Sequence, residues 1–416
     1  MIKSENYLNG ELNSHKVEPY QSWYCWVMLT LAWLLNFAFG TVQSSIAPLV
    51  TPILADLHIS YSQMGVILGA WPLTYMMAAA IGGAIIDRWG IRTSLFLGTL
   101  IIGLSASLRY FANGFVGLFL CVALFGVGGP MISIGSPKII ATWFKGRGRS
   151  IAVGVYMTGS AIGRLLILSL TNSLVMPLSR GSWRLTFVIY GFLAFAVALA
   201  WRFLAKDIKP TRVAESASIT NVFTNLIKIR NVRLILMIGF LSMVVGHGFT
   251  NWLPKLLETG GLSPEIAGFT ASIPVLTGIP AVLLIPHLTP PHLRGRIAAL
   301  LTMLGAIVLF IITMSSGGLL VTGLGLYGLF FRCTMPMLML VLMDLPEVGS
   351  RYIGAAGGMY FCIAEIGGFV GPSVMGAIVD LTGNFLIGVS LMAGLSVVTG
   401  IMALLLRIQT STTKTI

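Results

Sequence analysis

Three ionisable side chains stand deep inside apolar runs: Arg164 in MTGSAIGRLLIL, Arg332 in GLFFRCTMPM and Glu365 in CIAEIGG. A charge at the middle of a membrane helix costs about 2.5–3.5 kcal/mol on insertion scales, so such groups face a polar cavity or one another. A guanidinium keeps its proton and offers a planar fork of donors that matches carboxylates. Two of them against one acid leave an excess of one positive charge, which a visiting anion would balance. The same groups could instead form a structural bridge, with Glu365 on one arginine and the other reaching backbone carbonyls. That arrangement still leaves one cation unexplained. Glu365 is the expected proton carrier, with His247 as a second proton-handling or hydrogen-bonding group.

The elements that must hold these residues are membrane helices. The chain of 416 residues is 56% hydrophobic and 9% charged, with a mean hydropathy of +0.91. That is too apolar for a soluble fold. Twelve windows are long enough to cross a hydrocarbon core, at about 23–50, 62–86, 93–110, 115–143, 150–176, 183–204, 233–254, 265–288, 297–314, 318–343, 352–379 and 384–407. Prolines at 72, 130, 137, 274, 280, 336 and 372 give them places to bend. With both termini in the cytoplasm, 19 of the 26 basic residues fall on the inner side and only Arg109, Arg180, Arg184 and Lys255 on the outer. The net charge of +13 therefore reads as topology and anionic lipid, with no nucleic-acid partner.

A polar interval divides the spans six and six. The expected organisation is an N-terminal tail (1–22) without signal-peptide character, a six-helix half (23–204), a cytoplasmic linker (205–232), a second six-helix half (233–407) and a tail (408–416). Gly154, Tyr156, Ile162 and Gly163 of the fifth span recur at the same spacing as Gly358, Tyr360, Ile366 and Gly367 of the eleventh. The halves thus read as a parallel repeat. The fold class is all-α membrane protein, twelve transmembrane helices in two pseudo-symmetric halves.

After the second span, Gly83-Ala-Ile-Ile-Asp87-Arg88-Trp89-Gly90-Ile91-Arg92 resembles the G-x-x-x-D-R-x-G-x-R signature of the major facilitator superfamily. The resemblance implies a gating latch in which Asp87 engages the start of the eleventh helix, near Gly349, Ser350 and Arg351. At the equivalent place in the second half, residues 289–296 keep only bases and one glycine, so that latch reads as degenerate. Pro137 to Phe144, Gly146 to Arg149, and Ile366 to Gly383 are similar to anion-carrying branches such as cyanate and nitrate/nitrite permeases and oxalate or monocarboxylate carriers. The arginine that many relatives carry in the fourth helix would fall at Val122. In this family helices one, four, seven and ten line the cavity, which implies that Arg332 projects into it while Arg164 and Glu365 border it.

Asn36, Gln43, Trp71, Tyr75, Ser133, Ser136, Tyr156 and Tyr360 are further residues able to hydrogen-bond a substrate, with most of them expected to join helices to one another instead; Asn251 accompanies His247. Lys138 reads as a vestibule or interface residue and Arg109 as an interface anchor. Cys25, Cys121, Cys333 and Cys362 show no metal or disulfide spacing, and no cofactor is expected. No phosphate-binding loop, HExxH or GxSxG motif occurs, so neither ATP-driven transport nor an enzyme is expected. The reading is a monomeric secondary transporter of the cell membrane that moves a small organic or inorganic anion, monocarboxylate-like, with protons by alternating access, with uniport and anion exchange as other modes. Its rivals are a proton-coupled exporter of hydrophobic or cationic compounds and a membrane receptor or sensor that moves nothing.

Overall fold

The computed structural model describes residues 23–206 and 224–406; the tails and most of the expected linker lie outside them. The first span runs through α1 (Tyr24–Ser44), a short 3-10 turn and α2 (Val50–Leu57). The second and third share α3 (Tyr61–Leu108), whose 48 residues would reach about 72 Å unbroken, over twice a hydrocarbon core. The break falls at Gly90, with φ 79° and ψ 160°, a conformation that a side chain would strain. Then follow α4 (Phe115–Trp143), α5 (Gly146–Leu170), α6 (Trp183–Leu204), α7 (Arg230–Thr259), α8 (Pro264–Leu288) and α9 (Arg294–Thr313). The tenth span is split into α10 (Gly317–Phe331) and α11 (Thr334–Asp344), and α12 (Gly349–Thr382) and α13 (Phe385–Leu404) complete the twelve.

Sequence explains where these helices begin. Ser60 Oγ accepts from Gln63 N and Gln63 Oε1 accepts from Ser60 N, a reciprocal capping box. Ser182, Ser263 and Asn384 cap the sixth, eighth and twelfth spans through their side-chain oxygens. Phe192, Phe203, Ile307 and Phe310 are exposed, the expected face toward lipid.

Where lipid is as apolar as leucine, helices associate through small residues that let backbones touch. The repeated glycines do this equivalently in the two halves. A Cβ on Gly163 would run into Phe37 O of the first span, and one on Gly367 into Phe240 O of the seventh. Between the halves, α3 packs on α12 and α5 on α8. The hydrogen bonds that join them gather at the far end of the bundle, opposite Tyr24 and Leu404. There Thr51 meets Glu258, Lys255 Nζ donates to Thr51 Oγ1 (2.9 Å), and Asn172 Nδ2 donates to Pro264 O (3.1 Å).

Candidate functional site: an arginine-lined cavity between the halves

Arg332 is placed by a proline. Pro336 has no N–H for the Arg332 carbonyl four residues back, so the tenth span breaks between Phe331 and Thr334, and Arg332 sits at the break. Its side chain crosses Gly278 of the eighth span, where an added Cβ would meet Arg332 Nε at 2.8 Å and Cγ at 3.2 Å. Gly278 thus makes room for the guanidinium, a role that nothing in its flanking sequence signals. Arg164 enters from the fifth span, whose helix widens further along into a π-type turn at Thr171–Val175.

Both arginines line one small cavity together with Gln43, Trp71, His247 and Asn251. Arg164 Nη2 donates to Gln43 Oε1 at 2.6 Å, while its Nε has no acceptor. Among the described residues Arg332 has no hydrogen-bond or ion-pair partner, and neither arginine pairs with a carboxylate. His247 Nδ1 and Asn251 Nδ2 are likewise buried without partners. Trp71 packs on His247 with ring centroids 5.5 Å apart and forms the wall of the cavity. No acid is among the lining residues. The space is about 30 Å³, room for a water or so, and any larger solute needs the cavity to widen.

Glu365 stands outside this ring. It is buried at 7% exposure beside the bare face of Gly368, which it shares with Pro72, and its Oε2 has no partner. The uncharged residues are mostly occupied by the protein itself. Asn36 Nδ2 donates to Ala32 O (2.8 Å) and Ser136 Oγ (2.9 Å); Tyr75 and Ser133 share a hydrogen bond of 2.5 Å. Tyr360 is fully buried with its hydroxyl on Met335 Sδ (2.7 Å), and Tyr156 is buried at 8% exposure. None of these five lines the cavity.

At the motif after the second span, Asp87 Oδ1 pairs with Lys138 Nζ at 2.6 Å, within its own half. Of the expected partners, Ser350 and Arg351 have side chains outside the described set. Arg92 Nη2 donates to Arg202 O at 2.7 Å, Arg88 is exposed, and a Cβ on Gly83 would meet nothing. The second half carries an ion pair at the matching place with the signs exchanged: Arg294 Nη1 to Asp344 Oδ2, 2.5 Å. The expectation for Arg109 is corrected. It is 1% exposed, donates to Ser45 Oγ (2.8 Å) and Ser105 Oγ (3.4 Å), and lies 4.8 Å over the Phe187 ring. The third span ends in a 3-10 turn at Arg109–Phe111, which aims the side chain inward rather than at the interface.

Comparison with known proteins adds to this geometry. The family model described as Major Facilitator Superfamily matches residues 32–372. A hexuronate transporter of Bacillus subtilis (strain 168) is 25% identical over 398 residues, covering 88% of this chain and 90% of its own length. The crystal structure of a point mutant of the nucleoside transporter NupG superposes with a TM-score of 0.78 at 15% identity, over 91% of this chain and 99% of that one. A point mutant of the E. coli fucose:proton symporter FucP superposes with a TM-score of 0.62, also at 15% identity, over 92% and 99%.

Proposed function

Because the chain belongs to the Major Facilitator Superfamily, we propose that it is a secondary transporter of a small organic anion of the sugar-acid kind, working by alternating access. The observation that carries this reading is the pairing of Arg164 and Arg332 in one cavity lined by no acid. A buried cation without a counter-charge is expensive, and a carboxylate passenger supplies the missing acceptor. Relation to a hexuronate transporter over most of both chains supports the sugar-acid class. Arg164 rises from the N-terminal half and Arg332 from the C-terminal half, so one solute held by both draws the halves together around a central site.

The lysine and arginine distribution supports an orientation with both termini in the cytoplasm. The joined far end then faces outward. Proton coupling runs through Glu365, a membrane-buried acid with no cation partner among the described residues, which takes up or releases a proton as the cleft opens to either side. His247, on the cavity wall, is the second proton-handling group. The motif from Gly83 to Arg92 serves as the cytoplasmic latch, with Lys138 holding Asp87 while the inner side is open.

Uptake of radiolabelled uronate and aldonate anions into proteoliposomes tests the reading. Arg332→Ala should abolish uptake, and Glu365→Gln should remove its dependence on a pH gradient while leaving exchange. Undiminished, gradient-driven uptake in both variants would remove these residues from the mechanism.

A further inference from the structure

We infer that the passenger carries a negative charge at each end, so that a dicarboxylate sugar acid is bound in preference to the monocarboxylate with the same carbon chain. This rests on the anion reading above and deepens it. Two fixed cations line the cavity, one from each half, and no acid lies among the lining residues to offset either. Arg164 keeps one hydrogen bond, to Gln43, and has a free Nε; Arg332 has no partner among the described residues. Gly278 leaves room for the Arg332 stem, and the guanidinium lines the cavity. A solute with one carboxylate satisfies one fork and leaves the other facing hydroxyls, which are weaker acceptors for a guanidinium than a carboxylate is. A solute with two gives each arginine its own partner and bridges the halves by charge at both ends.

Galactarate and galactonate differ only in the oxidation of the terminal carbon and provide the matched probes. At pH 7 both carboxyls of the diacid are ionised. Calorimetric titration of the purified full-length protein should give a dissociation constant about tenfold or more lower for galactarate, a decade corresponding to about 1.4 kcal/mol. In Arg332→Gln the two should converge to within about threefold. Gly278→Ala, which displaces the guanidinium without removing its charge, should narrow the gap in a protein whose helical circular dichroism is unchanged. Equal affinities in the wild type, or a ratio untouched by Arg332→Gln, would overturn the two-charge inference and leave the anion reading standing. Binding of organic amines with no affinity for either acid would overturn both.

A second inference comes from an independent observation at the far end. The stretch Gly376-Ala-Ile-Val-Asp380-Leu-Thr-Gly383 repeats Gly83-Ala-Ile-Ile-Asp87-Arg-Trp-Gly90 at five of eight positions, with isoleucine and valine at a sixth. Asp380 Oδ1 accepts from Tyr61 N (3.0 Å) and Oδ2 from Ser62 N (2.7 Å), so a carboxylate of the eleventh span caps the second-span helix across the halves. A negative charge on those first-turn amides also meets the positive end of the helix dipole. The geometry points to Asp380 as the far-end counterpart of Asp87, a latch that holds this end shut. Here the far latch is engaged between halves while Asp87 is held within its own half by Lys138.

A cysteine placed at Ser44, which lines the cavity, reports opening when labelled by an impermeant maleimide from the far face. Asp380→Asn should raise the labelling rate several-fold over the Ser44→Cys parent, with the native cysteines measured in wild type as the blank. Asp87→Asn, which breaks a contact inside one half, should not raise it. An unchanged rate in Asp380→Asn, or an equal rise in Asp87→Asn, would overturn the assignment.

Discussion

Arg109 and Arg332 are both arginines taken out of water, yet their surroundings differ completely. Arg109 is enclosed by Ser45, Ser105 and the face of Phe187, neutral groups that take up both Nη atoms and lie against its charge, while its Nε has no partner among the described residues. Arg332 lies at a helix break against a glycine, with its donors unused and a second guanidinium on the same cavity. Burial alone therefore does not mark function in this protein. What separates the two is how much of the guanidinium the chain itself takes up: both Nη atoms at Arg109 and, among the described residues, none at Arg332.

That contrast is open to direct attack. Arg332→Ala should weaken anion binding on the order of 100-fold, since truncating one partner of a buried charge pair costs about 2–5 kcal/mol, while the thermal midpoint of the unliganded protein holds or rises because an unpaired charge is gone. Arg109→Gln should do the opposite. It deletes the charged hydrogen bonds that Ser45 and Ser105 accept in the core, lowers stability by about 1–3 kcal/mol and leaves the anion affinity of the protein that remains folded within about threefold. If calorimetry and thermal melting gave the two variants the same pattern, the distinction between a structural and a functional arginine would fail. Gly278→Ala should cost about tenfold in affinity, about 1.4 kcal/mol, with little change in melting, because it disturbs the placement of the guanidinium and not its existence. The smallest effect should come from Lys138→Gln, an exposed pair worth at most about 1 kcal/mol, visible only as a shifted balance in far-face labelling.

The fold was legible because each helix in a bilayer must be long and apolar, and because the glycine and aspartate spacing after the second span is read without knowing any contact. The cost of Arg164 and Arg332 in lipid called for a polar cavity or a pairing partner, and the family resemblance supplied the expectation that the cavity lies between the halves. The rotation of the remaining helices did not follow. A membrane helix can be apolar on every face, so its sequence carries little information about which side meets a neighbour. For Asn36, Ser133, Tyr75 and Tyr360 the sequence consequently leaves ligand and helix-joining roles both open, and the structure shows each bonded to another helix. Arg109 read as an anchor because its position at a span end was visible and the inward 3-10 turn was not. Gly278 became meaningful only once Arg332 was seen crossing it. The echo of the Asp87 motif at Asp380 lay open in the sequence, and its sense emerged when both carboxylate oxygens were found on the second-span amides.

The most direct measurement is the thermal midpoint of the purified protein titrated at constant ionic strength with carboxylate anions and, separately, with amines of similar size. A ligand that binds only the folded state raises the midpoint as its concentration climbs past its dissociation constant. A saturable rise is expected with sugar-acid anions and none with amines, and in Arg332→Ala the anion response should move to roughly 100-fold higher concentration. A saturable rise with amines, or an anion response that survives Arg332→Ala undiminished, would contradict the anion reading.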